Sequence, residues 1–224
     1  GNVGTGNSDT IAIDTLNPTV TVQFVESLLS DASSSSSVTF EFSSDVLGFI
    51  ATDVTVSGGT LSGFTTIDGD SYSSTFTAAD GVERTGTVSV GTGYTNAAGN
   101  SGRSGSGTVL IDRLNPTVTV QIIKSSLSDA DTMSQVTFEF SEDVVGFDLA
   151  DVTVSHGTLS GFTSIDSSSF SATLTADDSI QATGSVTVGT GYTDAAGNGG
   201  LGGSDTVVID TLSPAVSVRI VNRL

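Results

Sequence analysis

The side chains in this sequence that could do chemistry are oxygen donors set in glycine-rich turns. One ten-residue stretch occurs twice, as GTGYTNAAGN at 91–100 and GTGYTDAAGN at 189–198. Each copy follows an alternating run, Thr87-Val88-Ser89-Val90 or Ser185-Val186-Thr187-Val188. Each precedes a Gly/Ser-rich run and a second alternating segment that ends on Asp112 or Asp210. A strand, a tight turn with Asp or Asn and Gly, and a second strand make a hairpin. Asp194 and Asn198 carry side-chain oxygens on backbone that Gly197 allows to bend sharply. Oxygen donors on a bent loop suit a hard cation such as Ca²⁺, which takes about 6–8 oxygens at roughly 2.3–2.6 Å.

The elements that must position these oxygens recur with them. Asp14-Thr15-Leu16-Asn17-Pro18 returns as Asp112-Arg113-Leu114-Asn115-Pro116 and begins again at Asp210-Thr211-Leu212-Ser213-Pro214. The spacing is 98 residues both times, and 64 of the 98 aligned positions are identical. Self-similarity at a fixed long period is the mark of a tandem array of one domain type. The expected organisation is the end of a preceding repeat at 1–13, repeats at 14–111 and 112–209, and the start of a following repeat at 210–224. The sequence is thus expected to be a stretch of a longer array. No signal-peptide pattern opens it.

Within a repeat the hydrophobic period is two. Val20, Val22 and Phe24 alternate with Thr21 and Gln23, and Val38, Phe40 and Phe42 alternate with Thr39 and Glu41. Seven short strands are predicted in the first repeat, over 19–25, 37–42, 53–57, 60–67, 71–77, 86–90 and 107–111, with no helix. Regular short strands with Gly, Ser and Asp between them predict an all-β chain: two tandem immunoglobulin-like β-sandwich domains. Cys and Trp are absent, so the core must be aliphatic and Phe-based, and neither a disulfide nor a thiolate metal site is available.

Composition excludes whole classes of partner. Lys and Arg number 6 against 25 acids, for a net charge of −19. That surface repels nucleic acid and anionic membranes. No apolar run approaches the roughly 20 residues of a membrane-spanning helix, so direct membrane insertion is not expected and a monomer is. Twenty of the acids are Asp, whose short carboxylate suits both turns and cation ligation. Nothing assembles into an enzyme site. His156, the only His, replaces Gly58 of the first repeat and reads as a turn residue. Gly91-Thr92-Gly93 lacks the Lys and the following helix of a phosphate loop. Asp177 and Asp178 are paired carboxylates, but the first repeat has Ala79 and Asp80 there and no aromatic sugar platform. Ser33–Ser37 reads as a flexible loop, and the alternating Phe and Tyr residues read as core.

Taken together, Phe140-Ser141-Glu142, Val144, Gly146-Phe147, then Asp151-Val152-Thr153-Val154, Gly157 and Leu159, then Asp194-Ala195-Ala196-Gly197-Asn198 resemble the bacterial Ig-like repeats of giant adhesins. These RTX-type surface proteins are exported by type I secretion in Gram-negative bacteria and serve in biofilms and in host or ice attachment. The resemblance runs through both repeats. It implies an extracellular, cell-surface location and a non-enzymatic role as an extender that projects a distal adhesive domain. Calcium at or near the domain junctions would stiffen the array, and the partners of each repeat would be its neighbours in the same chain. The alternative function is an Ig-like module that itself recognises a glycan or protein. The first repeat departs from the family pattern, with Ser44 at the Glu position and Asn96 at the Asp position.

Immunoglobulin topology then says which loops share an end. The loop after the second strand and the loop before the last should lie beside the segment that leads into each domain. For the second repeat this end collects Asp112, Glu142, Asp143, Asp148, Asp151, Asp194 and Asn198, of which Asp112, Glu142, Asp151, Asp194 and Asn198 are the core ligand candidates. Asp31 and Asp80 are candidates from the far end of the first repeat. The set equivalent to the core candidates in the first repeat is Asp14, Asp45, Asp53, Asn96 and Asn100, poorer in charge. Asp210 opens the same pattern for a third repeat. Carboxylates about 4–6 Å apart repel by roughly 1 kcal/mol or more per pair, a cost that a cation removes.

Overall fold

In the computed structural model, residues 7–220 are described. The partial repeats expected at 1–13 and 210–224 extend into 1–6 and 221–224, which lie outside them. The chain forms two compact units that divide between Arg113 and Leu114, so that Asp112 and Arg113 close the first.

In the first unit the strands are β1 (Val20–Phe24), β2 (Leu28–Leu29), β3 (Ser35–Phe42), β4 (Val46–Leu47), β5 (Val54–Ser57), β6 (Gly59–Thr66), β7 (Ser71–Ala78), β8 (Glu83–Val90), β9 (Thr95–Asn96) and β10 (Gly105–Asp112). One sheet has the order β1-β3-β7-β6 and the other β2-β10-β8-β5. The second unit repeats this with β11 (Val118–Ile122), β12 (Ser126–Ser128), β13 (Met133–Phe140), β14 (Val144–Val145), β15 (Val152–Ser155), β16 (Gly157–Ser164), β17 (Ser169–Ala176), β18 (Gln181–Val188), β19 (Thr193–Asp194) and β20 (Gly203–Asp210), in sheets β11-β13-β17-β16 and β12-β20-β18-β15. Two four-stranded sheets packed face to face in this order make an Ig-like sandwich. Among the described residues the helical elements are two three-residue 3₁₀ turns, Ala51–Asp53 and Leu149–Asp151. Among the described residues no helix is long and apolar enough to cross a membrane.

The period-two pattern puts alternate side chains inside. Along β3, Ser36, Val38, Phe40 and Phe42 are buried while Ser35, Ser37 and Glu41 face water. Phe49 meets Phe40, Phe42, Phe64, Tyr72 and Tyr94 at ring separations of 4.9–6.0 Å, every pair edge-to-face. Phe147 makes the same set in the second unit. Aromatic pairs of this kind contribute about 0.5–1.5 kcal/mol each beyond area burial. In a sandwich with no disulfide they anchor the loops that carry Phe49 and Tyr94 to the sheet of β3, β7 and β6.

The structure departs from the expected elements in three places. The first strand is split: β1 pairs with β3, and the chain then crosses to the other sheet, where β2 pairs parallel with β10, Leu28 opposite Leu110 and Leu29 opposite Ile111. Leu29 is thereby fully buried. The Ser33–Ser37 run is not all loop, because β3 begins at Ser35. Ser36 is buried, its Oγ accepting from Glu26 N at 3.1 Å and donating to Ser37 O at 2.9 Å. The last two strands are also longer than the apolar alternation suggests.

Candidate metal centre

Two-stranded ladders bring the predicted loops together in each unit. β4 pairs with β9, placing Val46 opposite Asn96, and β14 pairs with β19, placing Val144 opposite Asp194. The loop after β3 and the loop before β10 therefore share an end, as the topology requires. A turn closes each second loop, Gly99 N donating to Asn96 O at 3.0 Å and Gly197 N to Asp194 O at 3.4 Å. Gly99 and Gly197 hold φ of 85° and 87°, in the left-handed region where glycine is favoured.

In the second repeat Asp194 is buried and Asn198 is fully buried. Asn198 binds it twice, through its backbone N to Oδ1 at 2.8 Å and through Nδ2 to Oδ2 at 2.7 Å. Asp112, Glu142 and Asp194 each offer one carboxylate oxygen within 4.8 Å of the others. Asp112 and Glu142 are half-buried. Three carboxylates at this spacing repel, and their oxygens match the ligand chemistry of a hard divalent cation. No thiolate or imidazole joins them, so softer transition metals are not favoured.

In the first repeat Asp14, Leu16, Asn17, Pro18, Ser43, Ser44 and Asn96 line a cleft of about 280 Å³. It contains one carboxylate. Asn96 Nδ2 donates to Asp14 Oδ2 at 2.9 Å and to Leu16 O at 3.2 Å. Its Oδ1 accepts from Asn100 N at 2.9 Å, and Asn100 Nδ2 donates to Asp14 O at 3.1 Å.

The other candidate ligands are placed differently. Asp53 Oδ2 accepts from Ile50 N at 2.9 Å and Asp151 Oδ2 from Asp148 N at 3.0 Å. Each closes its 3₁₀ turn by accepting from the backbone N–H of the residue before it, and only in the second repeat does that residue cap in return, Asp148 Oδ1 accepting from Ala150 N at 2.7 Å. Asp151 is not among the three grouped carboxylates. Asp45 lies against the hairpin turn 68–70, so close that a Cβ at Gly69 would sit 2.7 Å from its Cγ. In that turn a hydrogen bond with Asp70 draws Asp68 below the usual carboxylate range and holds Asp70 above it. Asp143 is exposed on the matching corner of the second repeat. Asp31 and Asp80 are met by Arg113, whose guanidinium reaches Asp31 Oδ1 at 3.2 Å and Asp80 Oδ1 at 3.1 Å and donates to Ala78 O at 3.1 Å. Asp210 accepts from Gln181 Nε2 at 3.1 Å.

Sequence reasoning missed what holds this end together. Tyr94 and Tyr192 are buried, and their hydroxyls donate to Arg103 O at 2.6 Å and Leu201 O at 2.5 Å. Arg103 N and Leu201 N bond Pro18 O and Pro116 O, both at 2.9 Å, so each tyrosine ties the loop to the leading segment. Burial pushes both phenols above their ordinary value, and the charge of Asp151 adds to this at Tyr192. Gly102 and Gly200 lie flat against these rings, where any Cβ would overlap them. His156 takes φ of 59° in the tight turn where the first repeat has Gly58 at 81°. It is exposed, as a turn residue should be.

A two-sheet Ig-like sandwich repeated in tandem, with oxygen donors gathered at its leading end, defines the class of the molecule. The chain belongs to the bacterial Ig-like domain family, which matches residues 14–111 and 112–211. No curated protein matches it. Among solved structures it is similar in fold to invasin, a bacterial integrin-binding protein, at 16% identity over 75% of this chain and 36% of that one, with a TM-score of 0.39. It is similar also to the Yersinia pseudotuberculosis adhesin InvE, at 15% identity over 88% and 59% with a TM-score of 0.35. Yersinia pseudotuberculosis InvD follows at 16% over 92% and 62%, with a TM-score of 0.34. The chain spans less than two thirds of each of these structures.

Proposed function

We propose that this chain is a segment of the stalk of a bacterial cell-surface adhesin, an extender stiffened by calcium and carrying a distal adhesive domain outward. The observation that carries this reading is the grouping of the Asp112, Glu142 and Asp194 carboxylates within 4.8 Å. Asp194 is buried and oriented by Asn198, so the ligand is preorganised, and Asp112 lies in the leading segment that a bound ion would pin. Near-identity of the repeats supports a structural role, since a dedicated recognition site tends to differ between copies. The strong negative charge, the absence of Cys and the tandem organisation suit export and a calcium-rich exterior, in keeping with type I-secreted, RTX-type biofilm adhesins. The segment acts as a monomer whose partners are its neighbouring repeats.

Titration calorimetry and thermal melting of the whole chain test the ion. Calcium binds with Kd on the order of 10⁻⁴–10⁻³ M, the range of extracellular modules. At about 100 times Kd it stabilises the fold by about 2.7 kcal/mol, which EDTA removes. Asp194→Asn abolishes the response. A melting curve indifferent to both calcium and EDTA overturns the calcium reading.

A further inference from the structure

The two repeats solve the same problem at their leading ends with different chemistry. Positions 14, 44 and 96 in the first repeat correspond to 112, 142 and 194 in the second. In the first, Ser44 and Asn96 line the cleft with Asp14 as the only carboxylate. Asn96 is almost isosteric with Asp but brings an N–H pair, and both of its contacts to the leading segment, Asp14 Oδ2 and Leu16 O, go through that nitrogen. Its oxygen remains engaged by Asn100 N, the same bond that Asp194 makes with Asn198 N. The amide thus donates toward the segment where a carboxylate would need a cation between itself and Asp14.

We propose that Asn96 is a built-in replacement for the cation: the first repeat latches its leading segment by an amide and needs no metal, and its latch is insensitive to calcium. Asn96 is buried and bonded on both sides, with Asn100 Nδ2 holding Asp14 O as well. The pair of residues at positions 44 and 96 then encodes the fastening. Ser with Asn gives a permanent latch, and Glu with Asp gives one set by the ion. An array that mixes the two has junctions of constant and of calcium-controlled stiffness along one chain. The contrast between the repeats rests on the calcium reading above, whereas the amide latch itself does not.

Amide hydrogen exchange on the whole chain, followed residue by residue in calcium and in EDTA, separates the two. The reporters are the amides of Leu16 and Arg103, which bond Asp14 Oδ1 and Pro18 O in the first repeat, and of Leu201, which bonds Pro116 O in the second. The amide of Phe40 in the central strand of the first repeat serves as an internal measure of global stability. Leu16 and Arg103 should exchange at the same rate in both conditions. Asn96→Ala should speed them roughly tenfold in both, the effect of about one lost hydrogen bond, with Phe40 less affected. The double variant Ser44→Glu, Asn96→Asp should exchange fast in EDTA and regain protection in calcium. If EDTA alone speeds Leu16 and Arg103 in the native chain, or if Asn96→Ala leaves them unchanged, the amide latch is wrong. A Leu201 amide that ignores calcium instead counts against the cation in the second repeat and leaves the latch standing.

Discussion

At Gly200 the ring of Tyr192 occupies the space that a methyl group would need, while at Gly199, one residue earlier, nothing lies within 4 Å. Gly200→Ala should therefore cost about 1–3 kcal/mol, the usual penalty of overpacking, and Gly199→Ala should stay within about 0.5 kcal/mol of the native chain. Urea melts followed by tyrosine fluorescence measure both. The oxygens of Asp194 and Asn198 were legible because their types and their glycine neighbours announce a polar turn. The part played by Tyr192 was not, since a tyrosine in an apolar pattern looks the same whether its hydroxyl is idle or ties a loop to a leading segment. Its titration reports how deeply the hydroxyl is buried. A phenol whose folded pKa is raised contributes stability that is fully present below its unfolded value, near 10.0, and is lost as pH rises through the folded value. Base titration followed by phenolate absorbance should show Tyr192 and Tyr94 ionising late, above that value, with unfolding close behind. A Tyr192 that titrates as a free phenol would contradict its burial against the leading segment.

At the scale of elements, strands were readable wherever one face is buried, because alternation records burial directly. Leu28-Leu29 was not readable as a strand: two residues carry no period, and their pairing with Leu110 and Ile111 comes from the far end of the repeat. The same limit explains the carboxylates. Topology placed both loops at one end, where the structure sets Val144 opposite Asp194. It could not separate Glu142, which turns toward Asp194, from Asp151, which turns back to close its own 3₁₀ turn. Nor could it anticipate that Arg113, a Thr in the other two copies of this segment, meets Asp31 and Asp80. Asp151→Ala should remove the bond to Asp148 N and destabilise the second repeat by about 0.5–2 kcal/mol, as the loss of a cap does. That corresponds to a fall of several degrees in the melting temperature of a domain this size. It should also lower the Tyr192 pKa part of the way toward the ordinary value, since burial, the larger cause of the shift, remains. An unchanged melt would show that the turn holds without its cap.

For the molecule as a whole, tandem near-identity and the absence of Cys were plain in the sequence, and both fit a chain built for repetition. Short linkers between Ig-like neighbours normally leave them free to flex, because the interface between such domains is small. Pro116 stiffens one step of Asp112-Arg113-Leu114-Asn115-Pro116 and restricts Asn115, while Asp112 ends β10 and Arg113 is held by Asp31 and Asp80. In the proposed extender a calcium ion held by Asp112 together with Glu142 and Asp194 adds stiffness outside the cell and releases it where calcium is scarce. Small-angle X-ray scattering of the whole chain in calcium and in EDTA, repeated with Asp112→Ala plus Asp194→Ala, tests this most directly. The account predicts a longer maximum dimension in calcium for the native chain and no difference between the two conditions for the double variant. Native scattering curves that superimpose with and without calcium would contradict it.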